Sequence, residues 1–194
     1  MKVLVTGGNR GLGKFLTETL YADSVSRENG YDITKDVERI TALSLEYDVF
    51  VNNAFDGPPH EPWANFAQIN VLQAVYFAWS QAGKTGHIVN IGSVGEKTIV
   101  APEPSFETYR TAKAALAHAS RQCSSAFKQG VVKFRTSLIS LDRLDTELTR
   151  SRTNWTGNGH NLTDIADMIQ LCLNAQANTC IEEIVAYVNF GFQT

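Results

Sequence analysis

The chain has 194 residues, of which 43% are hydrophobic, enough apolar material for one globular domain with a buried core. Its formal net charge of −3 and its lack of basic runs argue against nucleic acid as a partner. No apolar stretch approaches the length of a membrane span, and the N-terminus lacks the features of a secretory signal peptide, so we expect a cytoplasmic protein that does not bind membranes.

The first predicted elements are a buried strand, a glycine-rich turn and an amphipathic helix. The β-branched run at 2–6 predicts the strand, and the apolar spacing at 12–22 predicts the helix. A second helix is predicted at 34–45, with Thr34 as its N-cap. The interval between the two helices is too short for a full strand–helix–strand unit. We therefore expect one short strand near 24–26 and no helix in this interval.

The rest of the chain alternates between strands and helices. Strands are predicted at 47–54, 86–93, 131–140 and 182–190, and helices at about 63–82, 105–128 and 163–175. Strands that are apolar on both faces are typical of a parallel sheet covered by helices on each side. We therefore predict a single α/β domain over residues 1–194, with a Rossmann-like, doubly wound parallel sheet that is shortened around its second strand.

The glycine-rich turn "TGGNRGLG" at 6–13 lies between the first strand and the first helix. Glycines at Gly7, Gly11 and Gly13 allow a tight turn and a close approach of the backbone to a ligand. The helix N-terminus that follows offers N–H groups and a partial positive charge to a pyrophosphate. The alternative is a glycine-rich turn that binds no ligand.

The stretch "ETYRTAKAAL" places Tyr109 and Lys113 four residues apart in a predicted helix, so both lie on one helix face. Ser93 ends the strand "GHIVNIGS" upstream of them. A hydroxyl, a phenol and an ammonium at one ligand would suit proton transfer to or from an alcohol. The alternative is an exposed helix pair and a serine that merely terminates a strand.

Taken in chain order, these motifs resemble the classical short-chain dehydrogenase/reductase family over most of the chain, as an unusually short member. "DIT" at 32–34 is similar to the family's adenine-contacting Asp-plus-hydrophobe, and Asn70 stands where the family has a helix asparagine. "NNA" at 52–54 matches the family's Asn-Asn-Ala-Gly except that Phe55 replaces the glycine. Farther on, Leu141 and Asp142 replace a Pro-Gly pair, although the following Thr146 is present.

The resemblance implies an NAD(P)-dependent oxidoreductase that transfers hydride between nicotinamide and a ketone or secondary alcohol. Tyr109 would exchange the hydroxyl proton, and Ser93 would polarise the substrate oxygen. Lys113 would lower the pKa of the Tyr109 phenol and hold the nicotinamide ribose. Asn70 would place a water that links Lys113 to solvent, so that the transferred proton is replaced. The implied cofactor-binding residues are Gly7, Asn9, Arg10, Gly11, Leu12, Gly13, Arg27, Asp32, Ile33, Asn53, Ala54, Tyr109, Lys113 and Thr146.

The cofactor preference rests on charges near the adenosine ribose. Arg10 matches a basic position of NADP-dependent members, and Arg27 lies near the end of the short second strand, so NADP is favoured over NAD. Glu28 argues against this preference because it would repel a phosphate. Asp32 could equally be a turn or capping residue.

The substrate is less predictable than the cofactor. Residues 94–108 and 140–161 should line its pocket, and the second segment carries Arg143, Arg150, Arg152, Trp155 and His160. Its three arginines could select an anionic substrate. These arginines could instead be solvated on a loop.

Partners and alternative functions follow from the same pattern. The helices at 63–82 and 105–128 carry apolar residues on more than one face, including Val75, Phe77, Ala78 and Trp79, which predicts that both sides are covered. Since the family pairs its equivalent helices across a two-fold axis, the resemblance implies a homodimer or homotetramer. The three cysteines and four histidines lack pairing or ligand spacing, so no disulfide or metal site is predicted.

A nucleotide-sugar epimerase or dehydratase and a non-enzymatic dinucleotide sensor are the alternatives. The glycine spacing disfavours the first, and the retained Tyr-Lys pair disfavours the second.

Overall fold

Six parallel strands form one sheet in the order β2-β1-β3-β4-β5-β6 in the computed structural model, which describes residues 1–55, 62–97, 104–151 and 157–188. The strands are β1 Val3–Thr6, β2 Asp23–Val25, β3 Val49–Asn52, β4 Thr85–Ser93, β5 Lys133–Leu141 and β6 Glu183–Ala186. The α-helices are α1 Gly11–Thr19, α2 Val37–Ser44, α3 Ala67–Gln81, α4 Pro104–Lys128, α5 Glu147–Arg150 and α6 Leu162–Asn174. Short 3₁₀ helices cover Arg27–Asn29, Pro62–Phe66 and Val94–Lys97.

Two hydrophobic cores lie on opposite faces of the sheet. Alternate strand residues such as Leu4 and Phe50 pack against α2, α3 and α4. Their neighbours Val5 and Val51 pack against α1 and α6 on the other face. Because successive side chains of a strand point to opposite faces, strands buried on both sides must be apolar throughout. The doubly wound parallel sheet predicted from the sequence is confirmed.

The region of the second strand is shortened as predicted. β2 has three residues, pairs in parallel with β1, and is followed by a single 3₁₀ turn rather than an α-helix. The prediction that Thr34 caps α2 is wrong, because α2 begins at Val37 after Asp36. Both the backbone N–H and the hydroxyl of Thr34 donate to Asp32 Oδ1, at 2.9 and 2.7 Å. The Asp32 carboxylate therefore holds Thr34 in a turn before the helix can start.

Other boundaries moved by a few residues. α1 ends at Thr19 rather than 22, and Tyr21 has a left-handed φ of 50° that is incompatible with continuing the helix. A 3₁₀ segment replaces the first turn predicted for α3. α6 begins at Leu162, where the Asn161 side chain accepts from Thr163 N. The predicted end of the last strand, 189–190, lies outside the described residues.

Helix α3 has one exposed large apolar side chain rather than the several suggested by its sequence. Val75 and Trp79 are fully buried, and Trp79 Nε1 donates to Ser44 Oγ at 3.1 Å. These two residues therefore face the core and need no partner subunit to cover them. Phe77 is 65% exposed and is the large apolar side chain that α3 leaves uncovered.

The strand order reverses between β1 and β3. β1 lies between β2 and β3, so the chain leaves β1 in one direction and later crosses back to the other side. At such a switch point the loops after adjacent strands diverge and open a crevice at the carboxyl ends of the strands. The glycine turn after β1 and the "NNAF" segment after β3 both lie at this crevice.

Candidate active site

The glycine turn after β1 is packed tightly against the end of β3. Gly7 has a φ of 76°, and a Cβ added there would lie 3.1 Å from Ala54 Cα. A Cβ added at Gly13 would lie 2.0 Å from the Gly7 carbonyl oxygen. Both glycines are therefore required by the protein's own packing, whether or not a ligand binds.

Gly11 is the glycine of this turn with open space around it. Its φ is 54°, and the nearest atoms to an added Cβ belong to Thr146, 3.8 and 3.9 Å away. The first N–H to bond within α1 is that of Lys14, which donates to Arg10 O at 3.3 Å. Within the described residues, the N–H groups of Gly11, Leu12 and Gly13 donate to no acceptor, so they are available to an anion.

The remaining residues predicted for this turn differ in exposure. Arg10 is exposed, Asn9 is half-buried, and the Leu12 side chain belongs to the core, so only the backbone of Leu12 can serve a ligand. Thr146, predicted as a cofactor residue from the far end of the chain, is brought beside Gly11. Its hydroxyl also accepts from Thr149 N and caps the short helix α5.

Asn53 and Ala54 fasten the end of β3 to the end of β1. Thr6 Oγ1 accepts from the N–H groups of Asn53 and Ala54 at 2.9 and 2.8 Å. The Asn53 side chain donates to the Thr6 carbonyl at 2.9 Å. The polar groups of these two predicted cofactor residues thus fix the wall of the crevice.

Two residues predicted to contact the adenosine end of a cofactor contact each other. Arg27 Nε donates to Asp32 Oδ2 at 2.9 Å. Partial burial alone would raise the pKa of Asp32, but the hydrogen bonds from Arg27 and Thr34 outweigh it and lower that pKa to about 2. Ile33 is 9% exposed and packs in the core, which leaves little of its side chain for an adenine. Asp32 therefore has the hydrogen bonds of a turn residue, and its contact with a cofactor stays a prediction.

Ser93, Tyr109 and Lys113 come from two different elements. Ser93 is the last residue of β4, and Tyr109 and Lys113 lie one turn apart on α4. Ser93 Oγ accepts from Gly95 N at 3.1 Å. A Cβ added at Gly95 would lie 3.3 Å from Ser93 Oγ and 3.8 Å from Tyr109 Cε1. The serine hydroxyl and the tyrosine ring therefore flank the same glycine.

Lys113 is a buried lysine whose described partners are all uncharged. Its Nζ donates to Gln68 Oε1 at 2.7 Å and to the Ile91 carbonyl at 3.1 Å. Burial lowers the pKa of Lys113 to about 7, because the ammonium has lost water and gained no carboxylate. At neutral pH this lysine is therefore poised between its charged and neutral forms.

Phe55, which replaces the glycine of the family pattern, covers this pair. Its ring meets the Tyr109 ring edge to face with centroids 4.9 Å apart. The Lys113 ammonium lies 4.9 Å from the Phe55 centroid and 5.8 Å from that of Tyr109. The aromatic side chain thus lies against both residues predicted to act on substrate and cofactor.

Asn70 does not contact Lys113, and Gln68 does. Asn70 is exposed on α3 and its side chain makes no hydrogen bond with any described residue, whereas Gln68 is 2% exposed. Gln68 was missed because a glutamine carries no motif. The signal was its position, since it occupies the first place in the buried stripe that continues through Val71, Val75 and Trp79.

The predicted substrate segment is only partly described, because Arg152 and Trp155 lie outside the described residues. Arg150 pairs with Asp145, with Nη2 to Oδ2 at 2.8 Å, and His160 Nε2 lies 3.2 Å from the Ala186 carbonyl oxygen. A depression of about 400 Å³ lies beside Phe15, Asp145, Arg150 and Asn161, away from Tyr109 and Lys113. These contacts give no support to a site for an anionic substrate at Arg150 or His160.

Two features are lacking in the part of the chain that the structure describes. It contains no group of three or more His, Cys, Asp or Glu side chains placed to hold a metal ion. It also contains no helix with the length and hydropathy needed to cross a membrane.

No protein-family model and no curated protein matches this sequence. Solved structures do match its fold. The 3-alpha-hydroxysteroid dehydrogenase from Pseudomonas sp. B-0831, complexed with NADH, aligns with a TM-score of 0.76 at 18% identity, over 95% of this chain and 94% of that one. Acetoin dehydrogenase from Salmonella typhimurium aligns with a TM-score of 0.71 at 17% identity, over 95% of this chain and 93% of that one. A short chain dehydrogenase from Burkholderia cenocepacia in complex with NADP aligns with a TM-score of 0.68 at 20% identity, over 95% of this chain and 89% of that one.

A glycine turn at the switch point of a doubly wound parallel sheet defines a dinucleotide-binding type of α/β fold. The structural matches refine this class: the chain has the fold of the short-chain dehydrogenases/reductases. This confirms the fold that the sequence motifs implied and supports the resemblance to that family.

Proposed function

We propose that the chain is an NAD(P)-dependent oxidoreductase that transfers hydride between nicotinamide and a ketone or secondary alcohol. One observation carries this proposal. Ser93 and Tyr109 flank Gly95 at the end of β4, and Lys113 lies 5.8 Å from the Tyr109 ring centroid. The three groups lie at the carboxyl edge of the sheet, the edge that also carries the glycine turn.

The residues around the glycine turn fit a dinucleotide. The N–H groups at the start of α1 lack acceptors in the described chain, and Gly11 leaves open space beside Thr146. Pyrophosphates bind at such helix starts because several N–H groups and the helix dipole act together. When bound, the nicotinamide would supply or accept the hydride, and Lys113 would hold its ribose.

The chain's own residues would handle the proton. The Tyr109 phenol would donate its proton to the substrate oxygen during reduction and recover it during oxidation. The Ser93 hydroxyl would hydrogen-bond the same oxygen and polarise the carbonyl. The Lys113 ammonium, near the phenol ring, would favour the phenolate that remains.

We propose NADP as the preferred cofactor. Arg10 is exposed next to the glycine turn, and a guanidinium can bind a 2′-phosphate with charge-assisted hydrogen bonds. The Asp32 carboxylate, implied as an adenine contact, is engaged within the chain, since it accepts from Arg27 and Thr34. The exposed Glu28 is the carboxylate that would oppose a 2′-phosphate. Arg27 could add to phosphate binding only by sharing its charge with Asp32.

The proposal is tested by replacing Tyr109 with phenylalanine. Tyr109→Phe keeps the ring against Phe55 but removes the transferable proton, so turnover should fall by roughly 10²-fold or more. Affinity for NADPH should change little. Ser93→Ala should also slow turnover without weakening cofactor binding. A panel of ketones and aldehydes followed by NADPH absorbance identifies a substrate, and single-turnover hydride transfer on it measures the chemical step.

Tyr21→Phe is the matched control, because Tyr21 is 96% exposed at the end of α1. It should behave like the parent. Normal turnover by Tyr109→Phe would show that the proton comes from another group. Cofactor binding without reduction of any carbonyl would favour the non-enzymatic sensor. Conversion of a nucleotide sugar without net change in NADPH would favour an epimerase or dehydratase.

We also propose a homodimer or homotetramer built on the outer faces of α3 and α4. Phe77 is 65% exposed on α3, and the family that the sequence resembles pairs its equivalent helices across a two-fold axis. Light scattering at micromolar concentration checks the assembly. A monomeric mass would contradict it.

A further inference from the structure

Gln68 lies at the centre of a buried hydrogen-bond network between α3, β3, β4 and α4. Its Nε2 donates to the Asn52 carbonyl at 2.6 Å and to the Ile91 carbonyl at 3.0 Å. Since both amide protons are used on carbonyls, the amide oxygen must be the atom that faces Lys113. The orientation of the Gln68 side chain is therefore set by three contacts.

Further buried amides support this orientation. Asn52 Nδ2 donates to the Gln68 carbonyl at 3.0 Å and to Asn90 Oδ1 at 2.9 Å. Asn90 Nδ2 in turn donates to Ser120 Oγ at 3.2 Å. All of these residues are at most 2% exposed. A buried network in which every amide has a partner holds its members in one arrangement.

Among the described residues, the groups that contact Lys113 from each neighbouring element carry no charge. Gln68 on α3 and the Ile91 carbonyl on β4 accept its hydrogen bonds, and the Phe55 ring follows β3. Tyr109, on α4 itself, is the titratable side chain found in contact with the ammonium in the described chain. The shorter of the two hydrogen bonds of the lysine is thus with a neutral amide.

We propose that Gln68 is a positioning residue that fixes the Lys113 ammonium beside Tyr109 and, as a neutral acceptor, holds it without supplying a compensating charge. The proposal rests on the oxidoreductase function above and extends it to a residue outside the Ser-Tyr-Lys group. Its consequence is that the charge available to tune the Tyr109 phenol and to hold a ribose depends on the chemistry of residue 68.

Two substitutions of Gln68 should shift the pKa of Lys113 in opposite directions. Gln68→Glu places a carboxylate where the amide oxygen now lies, and an opposite charge at this distance should raise the pKa of Lys113 by about one to three pH units. Gln68→Met keeps the length of the side chain but removes the acceptor. It should lower the pKa further, because the ammonium then keeps only the Ile91 carbonyl. Gln73→Glu, on the exposed face of the same helix, is the matched control.

The lysine is titrated directly by NMR of lysine-labelled protein without cofactor, and Lys113→Met assigns its signal. The pH profile of carbonyl reduction is measured beside it. Opposite shifts for the two Gln68 variants, matched in direction by their activity profiles and absent in Gln73→Glu, would support the proposal. If the pKa of Lys113 in a folded Gln68→Met variant equals that of the parent, the proposal is overturned, even if Gln68→Glu does not fold.

A shifted titration with an unmoved activity profile would also overturn it, because Gln68 would then be only structural. Failure of the oxidoreductase proposal looks different. In that case no carbonyl is reduced by the parent, whereas the lysine titration still decides whether Gln68 sets the charge of Lys113.

Discussion

Replacing Lys113 by methionine should remove a pH dependence of stability. Burial lowers the pKa of Lys113 from 10.5 to about 7. Between these values the unfolded chain keeps a proton on this lysine that the folded chain has lost. The free energy of unfolding therefore rises with pH across this window, and below it the full destabilisation by the buried charge remains.

The size of the effect follows from the pKa difference. The pKa difference corresponds to a loss of roughly 4–5 kcal/mol in the free energy of unfolding. About 2 kcal/mol of this loss should be recovered between pH 7 and pH 9. Urea unfolding without cofactor at pH 7, 8 and 9 measures it in the parent and in Lys113→Met. The series ends at pH 9 because burial raises the pKa of Cys123 to about 12, which lowers stability once the unfolded thiol ionises.

Lys128→Met is the matched control, since Lys128 is an exposed lysine of the same helix. The parent and this control should gain stability over the series, and Lys113→Met should gain about 2 kcal/mol less than either. A parent whose stability is flat over this range, or a slope that persists in Lys113→Met, would show that Lys113 is solvated or paired with a charge.

Two further predictions concern cofactor binding. Phe55→Ala should tighten NADPH binding by about tenfold, because it removes ring contacts with Tyr109 and Lys113 that a ribose would have to displace. Phe77→Ala on the surface is its control, and an unchanged affinity for Phe55→Ala would contradict the reasoning. Arg10→Gln should weaken NADPH several-fold more than NADH by calorimetric titration, whereas Lys14→Gln, on the next turn of α1, should affect both cofactors alike. Equal losses for the two cofactors with Arg10→Gln would place the 2′-phosphate elsewhere.

Local pattern was sufficient for the order of elements and for the outline of the site. The β-branched runs and the apolar spacing of helices are short-range signals, so the six strands and the shortened second-strand region could be predicted. Ser93, Tyr109 and Lys113 were predicted from their order and spacing together with the resemblance to the family, and the structure brings Ser93 and Tyr109 to the two sides of Gly95. Their catalytic roles stay a prediction. The same local signals placed the glycine turn at the switch point.

Contacts between distant residues could not be predicted in this way. Thr34 looked like a helix cap, but Asp32 captures it in a turn and pairs with Arg27 as well. Gln68 belongs to no motif. Its side chain contacts two carbonyls and one ammonium, all from other elements. Asn70 had the expected place in the sequence, yet the face of α3 that reaches Lys113 begins with Gln68. The side-chain faces of a helix are set by packing, which a motif alone does not specify.

Phe55 and Gln68 act on the same ammonium from different elements. The Phe55 ring attracts it by roughly 0.5–2 kcal/mol, but the water that the ring excludes would solvate the charge more strongly. Gln68 supplies a hydrogen bond without a compensating charge. Each contact keeps Lys113 in place while leaving its proton weakly held. Because both residues contact one group, their effects on its charge should be coupled rather than additive. We therefore expect Phe55, after β3, and Gln68, on α3, to set the charge of Lys113 together, so that the effect of replacing one depends on the other.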